Sequence, residues 1–328
     1  MKPQTQHIKV ARQILEFIRQ RDHFLLSGHI NADGDAIASV LAMQMVLEKL
    51  GKTAYAVFSD KKIDRRFNYL QNFERIINYD PQKGFREKIE SAIILDVPGY
   101  KRLGNVADLL PSPENVVKVD HHPCEDVMGE IDWVDEKASS TTSLIFEIID
   151  QSGIKIDIEL AKAIFTGIVY DTGRFSFSNT TARDFYIGAQ MVEIGVKPSE
   201  ITNRVFFENS FTALKTIGKG LASLENYLNG AVNVIYLNAE DMRKNDQSEI
   251  EELANYSVAI RGGEVGLFIR EINPAFHKVS FRSRGKVDVN VVAKTFDGGG
   301  HARAAGCRVE GKKEEILPRI LDEIRKQL

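Results

Sequence analysis

The chain is poor in three things, and each shortage excludes something. Cysteine is one: among 328 residues only Cys124 and Cys307 occur, far apart in sequence, which excludes a disulfide framework and fits a reducing, intracellular setting. Charge of one sign is another, because 43 Lys and Arg against 46 Asp and Glu leave a formal net charge of -3. A chain so balanced has no bulk attraction for long duplex nucleic acid, and any nucleotide it binds must be held in a local basic pocket. Long apolar runs are the third. No stretch approaches a membrane-spanning length, and the first residues, MKPQTQHIKVARQILEFIRQRDHF, break their apolar positions with charges at helical spacing. That pattern lacks the apolar centre of a signal peptide. A soluble, cytoplasmic protein without a membrane partner is expected. What is present is ordinary globular composition, 43% hydrophobic and 27% charged, over about two domains' worth of chain.

Short apolar runs at 24–26, 54–58, 92–97 and 116–119 alternate with helical patterns such as 36–50, which Gly51 closes. Continuous apolar strands separated by helices predict a parallel sheet covered on both faces, with ligands bound beyond the carboxyl ends of its strands. Helical patterns follow at 141–151, 158–170 and 181–194, the last stopped by Gly195 and Pro198. Residues 197–211 read as a connector with room for a short helix at 199–206. A second unit then shows strand-like 231–237, a helix at 248–259, a strand pair 265–272 and 278–283 joined by Asn273-Pro274, a helix near 289–296, a Gly298-Gly299-Gly300 turn and a charged final helix. The run from Arg243 to Glu252 reads as a solvated helix and its approach. The expected fold is α/β in two domains, a parallel-sheet domain at 1–196 and a smaller α/β domain at 212–328.

Four places carry chemistry. His29-Ile30-Asn31-Ala32-Asp33-Gly34-Asp35 lies between an apolar strand and a helix. Mixed imidazole and carboxylate donors suit Mn²⁺ or a similar ion over Ca²⁺, with Gly34 allowing a tight turn; an Asp-rich turn with an N-capping aspartate is the alternative. Asp96 ends an apolar run, where an acid can also simply open a loop. Asp120-His121-His122 ends another. Side chains of adjacent strand residues point to opposite sides, so without a bend one histidine faces metal and the other substrate. Asp171 closes an apolar helix, where the dipole disfavours a carboxylate and either a cation or solvent must compensate.

In order and character these segments, which span most of 22–185, resemble the DHH phosphoesterases, named for the Asp-His-His motif. The resemblance implies one ion held by His29, Asp33 and Asp96 and a second by Asp35, Asp96, His121 and Asp171, with Asp96 bridging. It also implies that Asp120 orients a histidine and that His122 meets the scissile phosphate. Two Mn²⁺ ions would share a bridging hydroxide that attacks phosphorus in line, with His122 donating to the phosphate or to the leaving oxygen. Four aspartates neutralise two divalent ions, so a phosphate dianion needs further positive groups. Arg174 is a candidate clamp, or else a surface arginine.

In the second unit, Lys278 to Ser283 and Gly298-Gly299-Gly300-His301-Ala302-Arg303-Ala304-Ala305-Gly306 resemble the DHH-associated C-terminal domain. By that resemblance Arg282, Ser283, Gly299, Gly300 and His301 hold a terminal nucleotide or its phosphate, with Arg261 as a further contact. Phe268, Phe276, Phe281 and Phe296 could stack on a base or belong to the core. The length resembles the branch that degrades very short RNA (nanoRNA) and removes the 3′-phosphate of adenosine 3′,5′-bisphosphate (pAp), in a groove between the domains. Short single-stranded RNA, pAp and linear dinucleotides are therefore the expected substrates, and a homodimer through the first domain would suit the family. Cyclic-dinucleotide or pApA hydrolysis is the enzymatic alternative. A sensor without catalysis would lack a ligand, and none of the expected ligands is missing.

Overall fold

Strands that are apolar at every position can only be satisfied in a sheet with both faces covered, and the first half of the chain builds one. The computed structural model describes residues 5–242 and 247–328. It divides into Met1–Phe207 and Glu208–Leu328. In the first unit the strands are β1 (Phe24–Ser27), β2 (Ala54–Phe58), β3 (Ile77–Asn78), β4 (Ser91–Leu95), β5 (Val116–Asp120) and β6 (Ile131–Val134). They form one parallel sheet in the order β3-β2-β1-β4-β5-β6. Every residue of β1, β4 and β5 is buried. The helices are α1 (Thr5–Arg19), α2 (Gly34–Lys49), α3 (Tyr100–Leu103), α4 (Thr141–Ser152), α5 (Ile158–Asp171), α6 (Ala182–Ile194) and α7 (Pro198–Thr202). One face of the sheet, with Leu26, Leu95 and Val119, packs on α1, α2, α4 and α5. The other, with Leu25, Ala92 and Ile94, is covered by Leu103, Val106 and Met128 from shorter segments.

The strand order reverses between β1 and β4, since β2 and β3 lie on one side and β5 and β6 on the other. That reversal opens a crevice beyond the carboxyl ends of the central strands. His29 follows β1, Asp96 follows β4, and Asp120 is the last residue of β5, so sheet topology alone gathers the three segments.

The second unit contains α8 (Phe211–Ala222), β7 (Glu225–Tyr227), β8 (Val232–Leu237), α9 (Ala239–Met242), α10 (Leu253–Val258), β9 (Val265–Asn273), β10 (Phe276–Ser283), α11 (Val289–Lys294), β11 (Gly299–His301), β12 (Ala304–Glu310) and α12 (Lys313–Arg325). Its sheet runs β11-β12-β10-β9-β8-β7, antiparallel except for the parallel pair β8 and β9. Val279 and Phe281 face α11 and α12, while Phe268 lies in the cluster with Leu253 of α10 and Ala213 of α8. Phe268 and Phe281 are thus wholly buried core rings, and Phe296 packs against the cluster that holds Phe281.

Residues 197–211, expected as a connector with room for a short helix at 199–206, hold α7 and a π-helical turn, Asn203–Phe207. The expected helix at 248–259 is shortened to α10, and residues 243–246 of the expected solvated run lie outside the described residues. Among the described residues no helix is long and apolar enough to cross a membrane.

Candidate metal centre

The chain leaves β1 and turns through Asn31, which adopts a left-handed φ of 55°. Asp33 then caps α2: its Oδ1 accepts from the backbone N–H of Asp35 at 3.0 Å and of Ala36 at 3.1 Å. Its other oxygen, Oδ2, lies 3.7 Å from His29 Nε2. The capping reading of this motif therefore holds through Oδ1, and Oδ2 is left facing His29. Gly34 does not supply a left-handed turn, because it is the first residue of α2. A Cβ there would sit 2.4 Å from the Tyr170 ring, so glycine is needed for close approach to α5.

Asp96 is held in the left-handed region (φ 62°), an uncommon conformation for a residue with a side chain. Its N–H donates to Val119 O at 3.0 Å. Asp96 is 1% exposed, and its two oxygens point to different histidines. Oδ2 is 3.5 Å from His29 Nε2 and Oδ1 is 3.4 Å from His121 Nε2. On the far side, His121 Nε2 lies 3.0 Å from Asp171 Oδ2 and 4.0 Å from Asp35 Oδ2. Two donor sets result, His29 with Asp33 and Asp96, and Asp35 with Asp96 and His121, each with donor atoms within 4.8 Å of one another.

The Asp-His-His segment contains a bend, so the two histidines do not point to opposite sides as adjacent residues of an extended strand would. β5 ends at Asp120, whose Oδ1 accepts from the backbone N–H of His121 (2.8 Å) and His122 (3.1 Å). This turn brings the two imidazoles to 4.6 Å between centroids on the same side. The same Oδ1 lies 2.8 Å from His122 Nδ1, so the histidine Asp120 orients is His122. His29 Nδ1 lies 3.0 Å from Ile30 O, which presents Nε2 to the carboxylates.

Electrostatics show what the cluster lacks. Burial raises the Asp35 pKa well above the ordinary value, and the neighbouring Asp96 and Asp171 carboxylates add to it. Burial raises Asp171 as well, against the His121 hydrogen bond. Burial works against charge on His29, yet Asp33 and Asp96 overcome it and hold its pKa up to about 9, with Arg102 opposing. His121 is likewise raised despite burial, by Asp171 and Asp96. Asp96 is lowered although burial opposes this, through His121, His122 and His29. Crowding and burial thus oppose ionisation of Asp35 and Asp171, which a nearby positive charge would favour. Divalent cations with oxygen and imidazole preferences fit that donor set.

Several residues escaped the sequence reading. Thr141 and Thr142, at the start of α4, donate to Asp35 and Asp96; a Ser-Ser-Thr-Thr run before a helix signals only an N-cap. Arg102 Nη2 lies 3.3 Å from His29 Nδ1, and nothing in its local sequence announces this. Arg174, read as a phosphate clamp or else a surface arginine, adopts φ 62°, with its guanidinium 4.7 Å from the Phe206 ring centroid and 5.3 Å from that of Phe207.

In the second unit Arg282 and His301 both pair with Ala304, from β10 and β11 on either side of β12. Directly opposed residues share a sheet face, so the small Ala304 lies between the Arg282 and His301 positions. Arg282 Nε donates to Asn255 Oδ1 at 2.8 Å, and Ser283 Oγ donates to Val287 O at 2.6 Å. Gly299 and Gly300 form edge strand β11 where a turn was expected. Gly300 has φ 143°, and a Cβ there would meet Ala304 O at 2.5 Å. Arg261 is exposed.

Residues 23–168 match the DHH family, N-terminal domain, and residues 231–328 match the DHHA1 domain. A bifunctional oligoribonuclease and PAP phosphatase NrnA from Thermus thermophilus is 27% identical over 99% of this chain and 97% of its own length. The protein of that name from Bacillus subtilis is 28% identical over 90% of this chain and 92% of its own. An exopolyphosphatase-related protein from Bacteroides fragilis shares the fold, with a TM-score of 0.87 and 24% identity over 96% of this chain and 95% of that one.

Proposed function

We propose, from the DHH domain at residues 23–168 and the DHHA1 domain at residues 231–328, a two-metal phosphoesterase acting on short oligoribonucleotides and pAp. The observation that carries this reading is the division of Asp96, one oxygen toward His29 and the other toward His121. His29, Asp33 and Asp96 would hold one ion, and Asp35, Asp96, His121 and Asp171 the other, with Mn²⁺ the best match to the donors. When bound, such ions polarise the phosphate and activate the attacking water.

The chain's own residues do the rest. Asp120 fixes the His122 ring through Nδ1, so Nε2 is the atom that meets substrate. From there it donates to a phosphate oxygen or delivers a proton to the leaving oxygen. His122 is 17% exposed in its side chain, against 3% for His121. The more accessible of the pair is the one assigned to substrate.

We assign residues 1–196 to catalysis and 212–328 to substrate binding, with Arg282, Ser283, Gly299, Gly300 and His301 around the nucleotide's terminal phosphate. A row containing Arg282, Ala304 and His301 suits an anion, because it offers guanidinium and imidazole donors on one sheet face. The substrate choice draws on the two relatives named for oligoribonuclease and PAP phosphatase activity, which align over nearly the whole chain. The test is Mn²⁺-dependent hydrolysis, after chelation, of an RNA dinucleotide, pAp and linear pApA side by side. Turnover of the first two supports the proposal. Strong preference for pApA would move the substrate class to cyclic-dinucleotide turnover, and no turnover of any would refute the activity.

A further inference from the structure

Asp35 is fully buried on α2, and a buried carboxylate must find donors. It finds them on another helix. Oδ2 accepts from Thr141 N at 2.6 Å, and Oδ1 accepts from Thr142 N at 3.1 Å and from the Thr142 hydroxyl. These are first-turn N–H groups of α4, where unpaired donors and the helix dipole favour an anion. Ser140 caps the same helix through Ser143 N at 3.1 Å, so the turn's donors are divided between its own cap and a carboxylate from α2. The neighbouring Thr141 hydroxyl donates to Asp96 Oδ1 at 2.8 Å.

Two further features make this arrangement specific. α5 passes so close that a Cβ at Gly167 would lie 2.0 Å from Thr142 Oγ1 and 2.6 Å from Asp35 Oδ1. Only glycine leaves room for that hydrogen bond. The segment before α4 is itself tied down, because Asn179 Nδ2 donates to both Ser139 O and Asp171 O at 3.0 Å. The Ser139 hydroxyl also donates to Asp184. One short segment, 139–142, thereby sets the positions of Asp35 and Asp96 and is linked to the backbone of Asp171.

We propose that Thr142, in the gap left by Gly167, is a positioning residue that fixes the Asp35 carboxylate for metal binding, and that Thr141 does the same for Asp96. This inference rests on the metal-centre reading above. A hydroxyl at 142 completes the donors to Asp35 Oδ1 and restricts how that carboxylate can turn. Removing it leaves Oδ1 with the Thr142 N–H as its donor from this turn and loosens the orientation of the carboxylate. Outer groups of this kind typically change metal affinity about 10–100-fold.

The test is calorimetric titration of the chelated full-length protein with Mn²⁺ alone, for wild type, Thr142→Val and Thr142→Ser, with the unfolding temperature of each metal-free protein recorded in parallel. Thr142→Val is expected to bind Mn²⁺ about 10–100-fold more weakly, and Thr142→Ser to retain wild-type affinity. Gly167→Ala keeps every hydroxyl but crowds the pair, and is expected to weaken binding in the same range. Should Thr142→Val fail to fold, Thr141→Val carries the same expectation through Asp96. A lower unfolding temperature with unchanged Mn²⁺ affinity would overturn the positioning role and leave the metal centre standing. Absence of Mn²⁺ binding by the wild type would overturn both.

Discussion

Stripped of metal, the protein should lose stability as pH rises from about 6.5 to about 9, and Mn²⁺ should remove most of that loss. Burial alone would depress the His29 imidazolium, but Asp33 at 3.7 Å and Asp96 at 3.5 Å hold its pKa up to about 9. A group whose pKa is higher folded than unfolded binds more protons in the folded state between the two values. Its contribution is therefore complete below the unfolded pKa and disappears as pH climbs through the folded one. A rise from an ordinary 6.5 to about 9 corresponds to about 3 kcal/mol at roughly 1.4 kcal/mol per unit. For a unit of this size that is about 6–12 °C in Tm. His121 is raised as well and acts in the same direction. Scanning calorimetry of the chelated protein at pH 6 and pH 9.5, with and without Mn²⁺, measures the effect. His29→Gln isolates the contribution of this ring from titration elsewhere. A metal-free Tm that stays flat or rises with pH, or that falls equally in His29→Gln, would refute the reasoning.

Three other outcomes are expected. Asp120→Asn should reduce kcat about 10²–10⁴-fold with a smaller change in KM, because it disturbs His122 orientation; an unchanged kcat in steady-state assays would remove His122 from the chemistry. Gly34→Ala drives a Cβ to within 2.4 Å of the Tyr170 ring, which also stacks on Phe206, and should cost about 1–3 kcal/mol, seen as a shifted denaturation midpoint. Arg282→Gln should raise KM for pAp about tenfold or more, the loss of a charge-assisted hydrogen bond, and leave kcat near wild type; an unchanged KM would take the second unit's basic row out of substrate binding.

What could be read from the sequence was the chemistry that sits at strand ends. His29, Asp96 and Asp120 each interrupt an apolar run, and in a parallel sheet those interruptions are brought to one edge. Less visible was anything that depends on a partner distant in the chain. Lys118 looks like a stray charge within the run 116–119, yet it is wholly buried, with Nζ donating to Asp126 O at 2.5 Å and lying 3.4 Å from Asp132 Oδ2. Thr141 and Thr142 look like ordinary first-turn residues behind the Ser140 cap, and their contact with Asp35 appears only when α2 is placed beside α4. The three glycines at 298–300 look like a turn because glycine is common in turns. Here Gly298 and Gly300 let β11 lie against β12, where a Cβ would meet backbone at 2.3 and 2.5 Å. A contact between strands leaves no local trace that distinguishes it from a bend. For Asp33, local sequence permitted two readings that do not exclude each other, since one carboxylate oxygen caps α2 and the other faces His29.

The most direct measurement is crystallography of the Mn²⁺-soaked protein with anomalous scattering recorded near the manganese edge. The account predicts two anomalous peaks on either side of the Asp96 carboxylate, one among His29 and Asp33 and the other among Asp35, His121 and Asp171. A single peak, or two peaks that do not share Asp96, would contradict it.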